Sequence, residues 1–144
     1  ECRGAKPFAR LVNVLSGPSP RSAPGAVESA LEGLWASLGA TEKATAIYTA
    51  ATGAAPATTE EADFLSAHVD VAVRAVASSF GHLSEAQFPL ALALGSLSLS
   101  RGARGPPTEM SGRETAVDVM PDRIVAVGVG HWRGEGMALL EAIG

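Results

Sequence analysis

Residues 56–80, PATTEEADFLSAHVDVAVRAVASSF, constrain this chain more than any other stretch. Thr58 and Thr59 are N-cap residue types, and Glu60, Glu61 and Asp63 fill the turn that follows. Hydroxyls there accept free backbone N–H groups, and carboxylates favour the positive end of a helix dipole. At 100° per residue, Glu60, Asp63, Ala67, Asp70, Arg74 and Ala77 fall on one side. Phe64, Leu65, Val69, Val71, Val73, Val76 and Phe80 lie on the rest of the circle. That apolar arc covers roughly 200°, against the ~100° stripe of a surface helix. The pattern predicts a long helix over 58–80, covered by neighbours on two sides, with Asp70 and Arg74 pairing at i,i+4 on its polar side. His68 lies in the apolar arc. A ligand or proton-transfer role competes there with that of a core-edge histidine bonded to a backbone carbonyl or a water. With nothing acidic or sulfur-bearing within a turn on that face, the structural role is favoured.

Other segments are read around this helix. Phe8, Leu11, Val12 and Leu15 have i, i+3, i+4, i+7 spacing, which predicts a short amphipathic helix over 6–15. Residues 17–25 (GPSPRSAPG) and 101–113 (RGARGPPTEMSGR) read as loops or linkers. Val27, Leu31, Leu34, Trp35 and Leu38 line one face of a helix over 26–38, with Gly39 as its C-cap. Thr41 caps a further predicted helix that ends at Gly53 and Pro56. Residues 88–100 alternate Leu with Ala or Ser, the periodicity of a hairpin turning at Gly95-Ser96, but their helix-forming composition favours a buried helix. Thr115–Val119 and Arg123–Val129 are valine-rich strand candidates, and 134–143 reads as a final helix. The expected fold is therefore mainly α: about five or six helices packed around a central one at 58–80, with a short β element near 115–130. The length suits a single domain over 1–144.

Charge is uneven. Residues 22–100 carry two basic and eight acidic residues, and the whole chain has a formal net charge of −4. With no basic stripe to neutralise phosphates, nucleic acid is not an expected partner. No apolar run approaches the length of a membrane span. Cys2 is the only cysteine, which excludes an intrachain disulfide and a cysteine-based metal site. The pairs His82/Glu85 and His131/Glu135 have helical ligand spacing, but two ligands do not make a metal site, and none is expected. The first residue is Glu1 rather than Met, which fits a processed precursor or a trimmed fragment and leaves the compartment open.

The most suggestive chemistry lies in 123–144, RIVAVGVGHWRGEGMALLEAIG. An apolar strand runs into a glycine-rich turn, and Gly128, Gly130, Gly134 and Gly136, with Arg133, are candidates for holding a phosphate or nucleotide at the start of a following helix. The glycine spacing resembles the cofactor turn of short-chain dehydrogenases, although the Tyr-x-x-x-Lys pair of that family is absent: Thr52 stands where Tyr48 would need its lysine. The stretch RETAVDVMPDRIVAVGVG also resembles a late helical segment of phycobiliproteins, without a bilin-holding cysteine. Both resemblances are local, and no family follows from them. Trp132, with His131 beside it, lies in a polar glycine-rich turn, where a tryptophan either anchors a partner or, the slightly favoured role, packs under the last helix. The functional expectation is a non-enzymatic helical subunit or protein–protein interaction module, assembling with a protein partner or with copies of itself. The alternative is a small enzyme or ligand-binding domain using the turn at 128–136. No cofactor is specified beyond that phosphate chemistry.

Overall fold

A computed structural model of the chain describes residues 4–39, 45–50, 53–68, 70–103, 107, 113–115, 121–132 and 134–144. The element order is β1 (Arg10–Gly17), α1 (Ala26–Leu38), β2 (Thr45–Ala50), α2 (Ala57–Ala67), β3 (Ala72–Ala75), α3 (Val76–Phe80), α4 (Gln87–Arg101), β4 (Arg123–Val129) and β5 (Glu135–Glu141). The strands form one mixed sheet in the order β1-β5-β4-β2-β3. β2 runs parallel to β3 and β4, while β5 is antiparallel to both β4 and β1.

Two apolar layers hold helices to this sheet. On one face Val27, Leu31, Trp35 and Leu38 of α1 and Phe64 of α2 pack on Ile47, Val73, Val125, Val127, Met137 and Leu139. On the other, Ala91 and Leu99 of α4 and Val76 of α3 pack on Ala46, Tyr48, Ala72, Ile124, Ala126 and Leu140. The approach of α4 is close: a Cβ on Gly95 would meet Ile124 Cγ2 at 2.9 Å and Leu140 Cδ1 at 3.1 Å. Tyr48 reaches the same helix through its hydroxyl, 2.6 Å from Ser98 Oγ.

The fold is thus α/β and not a mainly α bundle. The predicted helix over 58–80 is divided. α2 ends at Ala67, the chain turns near Asp70, and Ala72–Ala75 pairs with β2 before α3 begins. Val71 and Val73 continue the alternation begun at Val69, which itself lies outside the described residues. β-branched residues at every second position suit a strand, and this preference prevailed over the helical arc. Arg74 consequently does not pair with Asp70. It is buried in β3 and donates to the Val73 and Thr115 carbonyls at 2.7 and 2.8 Å.

Three further helices expected from the sequence are strands. Residues 45–50, inside the helix predicted after Thr41, form β2, whose Ala46, Ile47, Tyr48 and Thr49 are all buried; a strand covered on both faces shows no alternation. Residues 135–141 form β5 instead of a terminal helix, and 10–17 form β1 instead of an amphipathic one. The register of β1 against β5 shifts between Leu11 and Asn13, an irregularity that mimics helical spacing. The helix over 26–38 with its left-handed Gly39 cap, the helix through 88–100 and the strand over 123–129 lie where the sequence placed them. Thr41 lies outside the described residues, and so does the candidate strand at Thr115–Val119 beyond its first residue. No helix is long and apolar enough to cross a membrane among the described residues.

Candidate functional site

In parallel sheets, ligands bind beyond the C-terminal ends of the strands, where successive connections leave toward opposite faces. Here β2 leads into α2 on one face, and β3 leads into α3 and α4 on the other. A cavity of 230 Å3 opens at that divergence. Its floor is Thr49 from the end of β2 with Thr58 and Glu61 from the first turns of α2, all buried. Ala62, Leu65 and Ala75 add apolar wall, and Ser78, His82 and Arg113 stand at the exposed mouth.

The carboxyl of Glu61 dominates the floor. It is 1% exposed and accepts a hydrogen bond from Thr49 Oγ1 at 2.7 Å. Burial pushes its pKa up to about 7; the Thr49 bond and the more distant positive charge of Arg113 pull the other way but do not prevail. Beside it, Thr58 Oγ1 is buried with no hydrogen-bond partner among the described residues. The adjacent Glu60 has a different task. Its two carboxylate oxygens accept the backbone N–H groups of Gly25 (3.0 Å) and Val27 (2.8 Å), tying the start of α1 to α2.

His68 serves packing. Its ring lies 4.7 Å from those of both Trp35 and Phe64, and Nε2 is 3.3 Å from Glu32 Oε1. The partner is a carboxylate from α1 rather than a carbonyl or a water.

The glycine-rich segment is the hairpin between β4 and β5. Gly128 lies in β4, where an added Cβ would meet the Phe88 ring at 2.9 Å, and Gly136 pairs with it across the ladder. The Gly130 N–H donates to the Gly134 carbonyl at 2.8 Å, closing the loop. A strand follows where a phosphate-binding turn would need a helix N-terminus. Arg133 lies outside the described residues. Glu135 points into the protein and accepts from Arg21 Nη1 at 2.6 Å, while Arg21 Nη2 donates to the Gly130 carbonyl. At the tip, Trp132 is 80% exposed and His131 stacks edge-on against it at 4.7 Å. His131 also lies 6.2 Å from the ring of His82, so the hairpin tip adjoins the cavity mouth. No group of three His, Cys, Asp or Glu side chains able to hold a metal ion occurs among the described residues.

Sequence reasoning named Glu61 and Thr58 only as helix-start residues and His82 only as half of a ligand pair. It missed Thr49 and Ser78. The order strand, Gly53 turn, Thr58, Glu61 would have pointed to the site once β2 was read as a strand.

No protein-family model matches the chain, and no curated protein matches it. Among solved structures, the ishigamide ketosynthase/chain length factor is similar with a TM-score of 0.67 and 18% identity, over 99% of this chain and 40% of that one. An oxazolomycin ketosynthase domain of Streptomyces albus is similar with a TM-score of 0.65 and 16% identity, over 95% and 45%. The chain therefore spans less than half the length of these neighbours. The likeness establishes the fold as the α/β type of ketosynthases and chain length factors. This fold overturns the expectation of a non-enzymatic helical module, and β5, a strand where the alternative needed a helix after its glycine turn, removes that alternative.

Proposed function

We propose that this chain is the crevice-bearing part of a ketosynthase-type protein, and that the cavity at the ends of β2 and β3 receives a growing acyl chain in polyketide-type carbon-chain assembly. The observation that carries this reading is the ketosynthase-like fold over nearly the whole chain. The placement of the cavity supports it, because the strand ends are where such a sheet offers a ligand site. Its apolar wall and buried polar floor suit an acyl group better than a charged metabolite.

The chain works against other protein. Phe8, Leu11, Val12 and Val14 are about half exposed along and just before edge strand β1, and Trp132 projects at the cavity mouth with His131. Large apolar side chains gathered in this way mark protein contacts.

Thermal melts with short acyl thioesters test the reading. A saturable rise in the melting midpoint is expected with the thioesters and none with nucleotides. A rise with nucleotides alone would overturn it.

A further inference from the structure

Most polar groups near the sheet ends are committed. Glu60 is bonded to two backbone N–H groups, and Glu141 lies between Arg10 and Arg123. Glu135 is bonded to Arg21 through one oxygen; its other oxygen and Arg21 Nε, buried without a partner among the described residues, lie outside the cavity lining. The cavity floor differs. Thr58 Oγ1 is more than nine-tenths buried, lines the cavity and lacks a partner among the described residues. Glu61 uses one oxygen for Thr49 and has none for the other among the described residues. A buried hydroxyl left without a partner costs free energy comparable to a lost hydrogen bond. The unpartnered Thr58 hydroxyl and the neighbouring Glu61 carboxyl on one cavity wall describe a polar ligand atom that bonds to both.

We propose that this floor binds a neutral carbonyl group, whose oxygen accepts hydrogen bonds from Thr58 Oγ1 and from the Glu61 carboxyl, while its carbon chain lies along Ala62, Leu65 and Ala75. A carbonyl oxygen is the acceptor that two O–H donors require, and it brings no charge into a buried site. A carboxylate ligand would demand a cation on the floor, and the only guanidinium lining the cavity among the described residues is Arg113, at the exposed mouth. Glu61 donates only while it holds its proton, and burial keeps that proton on up to about pH 7. The other charged or titratable groups facing it are Arg113 and His82; β2 and β3 contribute only Thr49 and Ala75 to the wall, and Glu60 turns toward α1. Ligand affinity is therefore pH-dependent. The inference deepens the ketosynthase reading and rests on it for the identity of the natural ligand, an acyl thioester.

The test uses two probes, pentan-2-one and the butyryl thioester of N-acetylcysteamine, titrated into the protein by methyl NMR at pH 6 and pH 8. Wild-type affinity is expected to fall about tenfold over that range, as the proton leaves a group titrating near 7. Glu61→Gln, whose amide still donates, should bind at pH 6 and lose the pH dependence. Thr58→Val should weaken binding about tenfold with the fold intact, and Thr58→Ser should restore it. Binding of the ketone with this pattern but not of the thioester supports the carbonyl site and removes the ketosynthase reading. Thioester binding that all variants share equally leaves that reading standing and overturns the carbonyl site. Binding of neither probe overturns the carbonyl site.

Discussion

Two carboxyl groups occupy opposite ends of the same sheet. Glu61 lies where β2 ends, beside Thr49; Glu141 lies where β4 begins, paired in register with Arg123. Glu141 accepts hydrogen bonds from Arg10 and Arg123, and these guanidiniums, Arg10 foremost, hold its pKa below the usual carboxylate value. Glu61 accepts one hydrogen bond, from the Thr49 hydroxyl, and burial raises its pKa. The same type of side chain is a charged clamp at one end of the sheet and a proton-holding acid at the other. The difference is solvation and partner type: one end closes a surface network, and the other leaves a cavity with donors to spare.

The largest test of this contrast is the pH dependence of stability. An acid whose folded pKa is raised contributes stability fully present below its unfolded pKa of 4.5 and lost as pH rises through about 7. The wild type should therefore lose roughly 3 kcal/mol of this contribution between pH 4.5 and 8. Glu61→Gln should flatten that part of the profile and melt higher than wild type at pH 8. Urea melts at intervals of one pH unit measure this. A wild-type profile that rises from pH 5 to 8 in parallel with the variant would break the contrast.

Glu60 sharpens it from within α2. It is also buried, but its oxygens accept two backbone N–H groups. Glu60→Ala should cost about 2 kcal/mol at pH 7, because the start of α1 loses both acceptors and Val27 N–H is buried. The ramp expected for Glu61 up to about pH 7 should persist in this variant. Its disappearance would assign the ramp to the wrong carboxyl.

Legibility in the sequence followed exposure. α1 was readable because only one of its faces is buried, and its Gly39 takes the left-handed conformation that glycine favours. β4 was readable from its valines. β2 was not, because TAIYTA is covered on both faces and its alanines also suit a helix. β5 carries Met, Ala and Leu, good helix formers held in a strand by pairing with β4 and β1. The site inherited these misreadings. Glu61 already had a sufficient role as an acidic residue in a first helical turn, and nothing local reveals that its side of α2 faces Thr49. That contact depends on which strand lies beneath the helix, and a parallel pairing has no hairpin to announce it.

The smallest expected effect belongs to the other end of the sheet. Arg10 is 69% exposed, so its pair with Glu141 is largely screened by solvent. Glu141→Gln should lower the melting midpoint at pH 7 by no more than about 2 °C. The sign with pH is opposite to that of Glu61. A depressed carboxylate contributes stability that is present above its unfolded pKa of 4.5 and lost as pH falls through its folded value. The variant should therefore approach wild type in acid and separate from it toward neutrality, and added salt should shrink the gap. Should Glu141→Gln instead reproduce the ramp up to pH 7 and ignore salt, the two ends would not differ in solvation, and the cavity would lose its claim to an unusual carboxyl.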